Sequence, residues 1–169
     1  GHFDIYSCFP SAVQVSCRAL GLSPLDPRGV TVTGGLPFFG GPGNNYSLHA
    51  ICEMMSKLRH SGGHGLVTAN GYYLTKHSLG LYSAEAPTKD WRPLHSAPLQ
   101  DDLNKLPLVP VATEYCGEAT LESYTVCFDR EGPQRGLVLA RNSAGERIVA
   151  NTDLADNTLE QLMQRDPIG

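Results

Sequence analysis

Val30 to Ser47, VTVTGGLPFFGGPGNNYS, decides how the first half of this chain is read. Val30, Thr31, Val32 and Thr33 alternate β-formers in the manner of a strand. The glycines and prolines between Gly34 and Gly43 break that pattern, and Asn44 and Asn45 lead into a periodic run. The reading is a strand, a tight glycine loop and a helix from about Tyr46 to about Leu58. Leu48, Ile51, Cys52, Met55 and Leu58 form its apolar stripe, and Asn44, Asn45 or Ser47 is available as a cap. A glycine loop lets a ligand approach the backbone closely, and the helix start offers unpaired N–H groups to developing negative charge.

Working outward, His2 to Tyr6 reads as a short strand. A helix follows, with Ser7 as cap, Pro10 in its first turn, Phe9, Ala12, Val13, Cys17 and Leu20 on one face, and Gly21 as its stop. Beyond the second helix come a glycine break at Ser61 to Gly65 and an apolar strand, Leu66 to Ala69. Asn70-Gly71 is a two-residue hairpin signal, with Tyr72, Tyr73 and Leu74 as the returning strand. The first segment therefore reads β-α-β-α-β-β, a layered α/β arrangement of a mixed sheet with helices. The chain opens at Gly1 without methionine and enters a strand almost at once, which reads as a piece of something longer.

Composition changes after Tyr82. The stretch 84–105 holds prolines, charges and Trp91 and reads as a linker. From 106 to 169 the pattern is all β: LPLVPVATEY, ATLESYTVCFD, RGLVLARN and ERIVANT, then a short helix in TLEQLMQRDPIG ended by Pro167. In the second of these segments Leu121, Ser123, Thr125 and Cys127 alternate with Glu122, Tyr124, Val126 and Phe128, so one side is more apolar than the other. Short strands at this spacing suggest a small Greek-key barrel or an open sandwich, with the barrel preferred because closure removes exposed edges. The expected organisation is 1–83 α/β, 84–105 linker and 106–169 all-β.

The bulk numbers narrow the function classes. A net charge of -4 over 169 residues, with no basic run, gives no reason to expect a nucleic-acid partner. No apolar stretch approaches the ~20 residues of a membrane span. Cys8, Cys17, Cys52, Cys116 and Cys127 form no CxxC pair and are odd in number, so reduced thiols in a cytoplasmic setting are expected, with no metal site.

Several residues are candidates for chemistry. Cys8 sits just inside an expected helix start, a position that suits a nucleophilic thiol, although a buried structural role is the commoner fate of a free cysteine. His49 lies in the first turn of the second helix and His77 in TKHS, and either could act as a general base, the role for which imidazole is suited. Asn70 and Lys76 stand beside His77. His60 and His64 flank a glycine turn and read as solvated. GGPGNNYS satisfies neither the P-loop nor the GxGxxG pattern, so a nucleotide site of those types is not expected.

The same stretches resemble a known family, the thiolases. VTVTGGLPFFGGPGNNYS is similar to their glycine-rich segment N-GGAIALGHPLGASG, with common spacing from Gly34-Gly35 through Gly40 to Pro42. YSCF, Tyr6 to Phe9, is similar to the NEAF motif or its HDCF variant in the sterol-carrier type. LVTANG resembles the strand carrying CxG. The resemblance covers about 1–83 and implies the second half of a C-terminal thiolase domain. The all-β remainder resembles the extra OB-like domain of thiolase-like proteins described as acetyl-CoA acetyltransferases. The fold class implied is an α/β layered thiolase-like half-domain followed by a small all-β OB-like barrel.

The resemblance implies an acyl-CoA acyltransferase with no separate cofactor, a coenzyme A thioester as its substrate or ligand, and a missing N-terminal thiolase half, in the same or another chain, as partner. It also places the family's catalytic positions at Tyr6, Gly41 and Ala69, and neither glycine nor alanine can move a proton. Two alternatives stand at this point. One is rearranged catalysis by His77, His49 or Tyr6. The other is a catalytically degenerate module that binds acyl-CoA or a protein. Gly40, Gly41, Asn44, Asn70 and Gly71 are the expected substrate-binding residues.

Overall fold

The computed structural model describes residues 1–90, 92, 94–152 and 157–169, so Trp91 lies outside the described residues. The chain divides into two compact units, Gly1–Pro93 and Leu94–Gly169. Among the described residues no helix is long and apolar enough to cross a membrane.

The first unit runs β1 (His2–Asp4), α1 (Pro10–Leu20), α2 (Leu36–Phe39), α3 (Tyr46–Ser61), β2 (His64–Gly71) and β3 (Lys76–Ser83). Its sheet has the order β1-β2-β3. β1 is parallel to β2, with Phe3 opposite Leu66, and β2 is antiparallel to β3, with Asn70 opposite His77. The mixed sheet with helices is present, but the element order corrects the expected β-α-β-α-β-β in one place: Val30 to Thr33 is not a strand. Its one bond of ladder type runs from the Ile5 N–H to the Val30 carbonyl at 2.9 Å. Thr31, Val32 and Thr33 instead turn their hydroxyls and amides in toward the buried Asp4 carboxylate. Alternating threonines suit such a wrap as well as they suit a strand.

α1 starts at Pro10, whose missing N–H costs nothing in a first turn, and closes on Gly21 at φ 65. Ala12 and Cys17 are buried, while Phe9 and Leu20 of the expected face are exposed. Ser7 does not cap this helix: the N-cap position is Phe9, without a side-chain bond, and the Ser7 hydroxyl accepts the Leu36 N–H at 2.9 Å.

α3 begins at Tyr46 as the sequence predicts, and its N-cap is Asn45 without a side-chain bond. Its buried stripe, however, is Tyr46, Ala50, Met54 and Leu58, packed with Val67 of β2. Leu48 and Met55 of the expected stripe are exposed, as is Cys52. The face is chosen by fit to the sheet rather than by hydrophobicity alone. Gly65 lies directly beneath Met54, where a Cβ would collide with the thioether sulfur. Ala50, fully buried, keeps the helix close to the strands.

The hairpin also differs. Asn70 and Gly71 stay in β2, with Gly71 opposite Lys76, so the turn is Tyr72 to Thr75 and not Asn70-Gly71. Tyr72, Tyr73 and Leu74 are therefore the tip and not the returning strand. Tyr72 and Leu74 carry positive φ, 57 and 64, a conformation unusual without glycine or asparagine. The Asn70 side chain is already engaged across to Cys8 and Tyr72, which suits a strand position better than a turn.

The second unit contains α4 (Ala97–Asn104), β4 (Thr120–Phe128), β5 (Pro133–Arg141), β6 (Arg147–Asn151) and α5 (Thr158–Gln164). α4 falls inside the stretch expected to be irregular linker. β4, β5 and β6 form a three-stranded antiparallel sheet in that order. The expected barrel is corrected: among the described residues the sheet does not close. LPLVPVATEY supplies no strand because Pro107 and Pro110 lack the N–H donors a ladder needs. It contributes one bridge, Val111 to Arg147, with Arg147 N–H on the Pro110 carbonyl at 2.8 Å. The tail helix is present, with Leu162 buried where a Cβ on Gly136 would meet it.

A bulge in β4 between Leu121 and Ser123 sets Glu122 off the ladder. Arg141 and Arg147 stand directly opposite each other on β5 and β6, a like-charge pairing that destabilises a sheet. The Glu122 carboxylate resolves it by accepting Arg141 Nε at 2.6 Å and Arg147 Nε at 2.9 Å.

Candidate functional site

The carboxyl ends of β1 and β2 lie side by side, the position at which parallel strands commonly present chemistry. Chain leaving β1 supplies Tyr6, Ser7 and Cys8, and the last residues of β2 supply Asn70 and Gly71. Two links join them. The Tyr6 N–H donates to Thr68 Oγ1 at 2.8 Å, and Asn70 Nδ2 donates to Cys8 Sγ at 3.2 Å.

What orders the loop above this edge is Asp4, fully buried at the end of β1. Its Oδ2 accepts Thr31 Oγ1 at 3.0 Å, Val32 N at 3.0 Å, Thr33 N at 3.1 Å and Thr33 Oγ1 at 3.1 Å. Its Oδ1 accepts the Tyr46 hydroxyl at 3.0 Å. The threonine hydroxyls in turn accept the N–H groups of Gly34 and Gly35, at 3.0 and 3.1 Å. One carboxylate thus ties β1, the glycine loop and the first residue of α3 together. Burial pushes the Tyr46 phenol above its ordinary value near 10; the Thr33 hydroxyl opposes the rise, and the Asp4 charge adds to it.

The predicted site residues fall into two groups. Tyr6, Asn70, Gly71 and His77 belong to the strand ends and the hairpin. The Tyr6 ring meets Tyr46 edge-on at 5.3 Å. His77 Nε2 donates to the Leu74 carbonyl at 2.9 Å, and Asn70 Nδ2 also donates to the Tyr72 carbonyl at 3.4 Å. These two side chains therefore brace the two strained residues of the tip. Asn70 Oδ1 is a buried side-chain oxygen without a hydrogen-bond partner, an acceptor awaiting a donor.

Gly40, Gly41 and Asn44 belong to the α2–α3 loop, and His49 to the first turn of α3. The half-buried His49 ring packs against Phe39 at 5.7 Å, Gly40 closes α2 onto the Leu36 carbonyl at 2.9 Å, and Asn44 is exposed. At Gly41 a Cβ would lie 3.0 Å from Leu36 Cδ2 and 3.2 Å from Tyr46 Cβ. A side chain there requires Leu36 to move. Two concave patches, one lined by Val32, Glu53, Ser56, Lys57 and His60 and the other in the second unit around Glu122 and Arg141, include none of the predicted residues.

Sequence reading missed Asp4, Thr33 and Thr68. The Thr-x-Thr spacing of Thr31 and Thr33 carried a signal for the first two, because paired hydroxyls two residues apart suit a carboxylate wrap as well as a strand. Thr68 had none, since its role is to receive an amide brought to it by the parallel pairing of β1 with β2.

Against this geometry the comparisons with known proteins are informative. A crystal structure described as a monomeric SCP2-thiolase like protein type 1 from Mycobacterium smegmatis superposes with a TM-score of 0.88 at 43% identity, over 99% of this chain and 36% of that one. Residues 98–169 match the family model of the thiolase-like protein type 1 additional C-terminal domain. The chain is similar to thiolase-like proteins over both matches. It spans about a third of the length of the structure it matches. No curated protein matches it. Neither match carries an acetyl-CoA acetyltransferase description. In a thiolase-like setting, the tight packing at Gly41 falls on the position that the sequence resemblance assigns to the family's histidine.

Proposed function

We propose that this chain is the C-terminal portion of a thiolase-like protein that binds acyl-CoA thioesters at the carboxyl ends of β1 and β2, without classical thiolysis or Claisen chemistry. The carrying observation is the Asp4-centred loop. It holds the glycine segment and the start of α3 in a defined shape, while a side chain at Gly41 would need Leu36 and Tyr46 to give way. Shape without the base favours binding over proton transfer. The first-turn N–H groups of α3 carry no side-chain cap, which suits a thioester oxygen. The orphaned Asn70 Oδ1 suits an amide N–H of the kind a pantetheine arm carries.

The rest of the site belongs to a further thiolase-like half. Since the matched structure is described as monomeric, that half is taken to lie in the same polypeptide and not in a second copy. Isothermal titration of the intact protein with acetyl-CoA and longer acyl-CoAs tests the binding. Heat of binding with a thermal upshift is expected, and neither at millimolar ligand refutes it.

One observation favours a second reading, retained chemistry at His77. A carbonyl can only accept, so His77 Nε2 carries the hydrogen toward Leu74, which leaves Nδ1 of a neutral ring free to take a proton. Turnover that survives His77→Ala removes that residue from the chemistry.

A further inference from the structure

α4 buries none of its residues. Leu99 and Leu103, at i and i+4 on α4, are 64% and 51% exposed, and Leu106, just past the end of the helix, is 60% exposed. The helix pairs its polar groups with one another: Gln100 Nε2 donates to Asn104 Oδ1 at 2.9 Å, and Lys105 Nζ meets Asp102 Oδ1 at 2.8 Å. Its N-cap Ser96 makes no side-chain bond to the first turn. An isolated helix shorter than about 12–15 residues is marginal in water, so these eight residues need tertiary cover to persist. Beyond the helix the chain stays apolar and exposed at Leu108, Val109 and Val111. An exposed apolar pair at i and i+4 is how an amphipathic helix anchors in an apolar groove.

We infer that these exposed leucines dock on the thiolase-like portion of the protein lying outside these 169 residues, seating the additional C-terminal domain upon it. Two facts select that occupant. The chain covers 36% of a structure that matches 99% of it, so most of that protein has no counterpart here to cover α4, and the protein is described as monomeric, which speaks against a second copy. The matched domain is additional to a thiolase-like body, and α4 lies at its beginning, with the match starting at residue 98. The inference rests on the proposal that such a half completes the protein.

The test uses the intact protein with a photo-reactive benzoylphenylalanine in place of Leu103. The expected cross-link joins position 103 to a peptide upstream of Gly1 in the same polypeptide. A cross-link to a second copy, to residues 1–93, or to nothing overturns the docking. Hydrogen exchange gives an independent readout. The amides of Gln100 and Lys105, whose backbone bonds close the helix, should exchange about a hundredfold or more slower than an unstructured chain, and Leu99→Ser with Leu103→Ser should erase that protection. Free exchange in the unmodified protein overturns the docking. The underlying reading fails separately, if the polypeptide encoded upstream of Gly1 contains no thiolase-like half.

Discussion

Asp4→Ala is the perturbation that bears most directly on the loop. The carboxylate is fully buried, and what matters is which partners find substitutes once it is gone. The Thr33 N–H retains Thr31 Oγ1 at 3.2 Å, the Tyr46 hydroxyl retains Thr33 Oγ1 at 2.7 Å, and the two threonine hydroxyls retain each other at 3.1 Å. The Val32 N–H has Asp4 alone. The variant therefore orphans one amide, at about 1–3 kcal/mol, and replaces charge-assisted bonds of about 1.5–3 kcal/mol each by neutral ones of about 1 kcal/mol. Removing a buried charge returns part of this. The net loss expected is roughly 2–4 kcal/mol.

Asp4→Asn keeps an oxygen for Val32 and Thr33 and should lose only about 1–2 kcal/mol, the charge-assisted part. Urea denaturation of the three proteins measures the stabilities, and amide exchange at Val32 and Thr33 reports the loop itself, where acceleration in the alanine variant is expected. A loss below about 1 kcal/mol for Asp4→Ala, or unchanged exchange at Val32, refutes the view that this carboxylate organises the loop. On the proposed acyl-CoA reading, affinity should fall with it, because the groups held by Asp4 include the first residue of α3.

Two further outcomes are expected. At Tyr72, φ 57 is a conformation glycine adopts freely and a β-branched residue resists. Tyr72→Gly should therefore stay within about 1 kcal/mol of the parent, trading relief of strain against chain entropy and the loss of the contact between Lys76 Nζ and the Tyr72 ring, 5.4 Å from its centroid, while Tyr72→Val should lose about 1–3 kcal/mol. Thermal melts decide this, and equal tolerance of the two substitutions would count against strain at the tip. In the second unit, hydrogen bonds from Arg141 and then Arg147 hold the Glu122 carboxyl below its ordinary 4.5. A depressed folded-state value means stability that is present above pH 4.5 and lost as pH falls through the lower folded value. Urea midpoints between pH 3 and 7 should fall more steeply for the parent than for Glu122→Gln, and parallel curves would remove Glu122 from the acid sensitivity.

Much of the fold was legible because its signals are local. Pro10 and Gly21 mark the two ends of α1, the periodic run after Asn45 marks the start of α3, and glycine or proline breaks separate β4, β5 and β6. What escaped depends on partners distant in sequence. The stripe of α3 was misassigned because Gly65, which admits Met54, lies on another element. Asn70-Gly71 is a good turn by itself, but Asn70 is engaged by Cys8, 62 residues away. The barrel failed on two prolines whose cost appears only when a neighbouring strand asks for their N–H groups. At the site, Asn70 and Lys76 stand near His77 in sequence, and the structure makes Asn70 the cross-strand partner of His77. Asp4 was passed over because one acid in a short strand says nothing until the loop that wraps it is folded.

On the proposed reading, the placement of Asp4 shows how a glycine loop with thiolase-like spacing can hold its shape without the family's base. Its shape depends on a carboxylate at the end of β1, two threonine hydroxyls and the Tyr46 phenol, and none of these stands at a position the resemblance marks as catalytic. The positions so marked, Tyr6, Gly41 and Ala69, contribute ring packing, close approach and strand pairing. A base at position 41 can therefore be absent while every bond that holds the loop is present, and Leu36 and Tyr46 close over the space its side chain would need. Restoring the residue type alone, as Gly41→His, would meet that closed packing, so regained proton transfer would demand a repacked Leu36 as well.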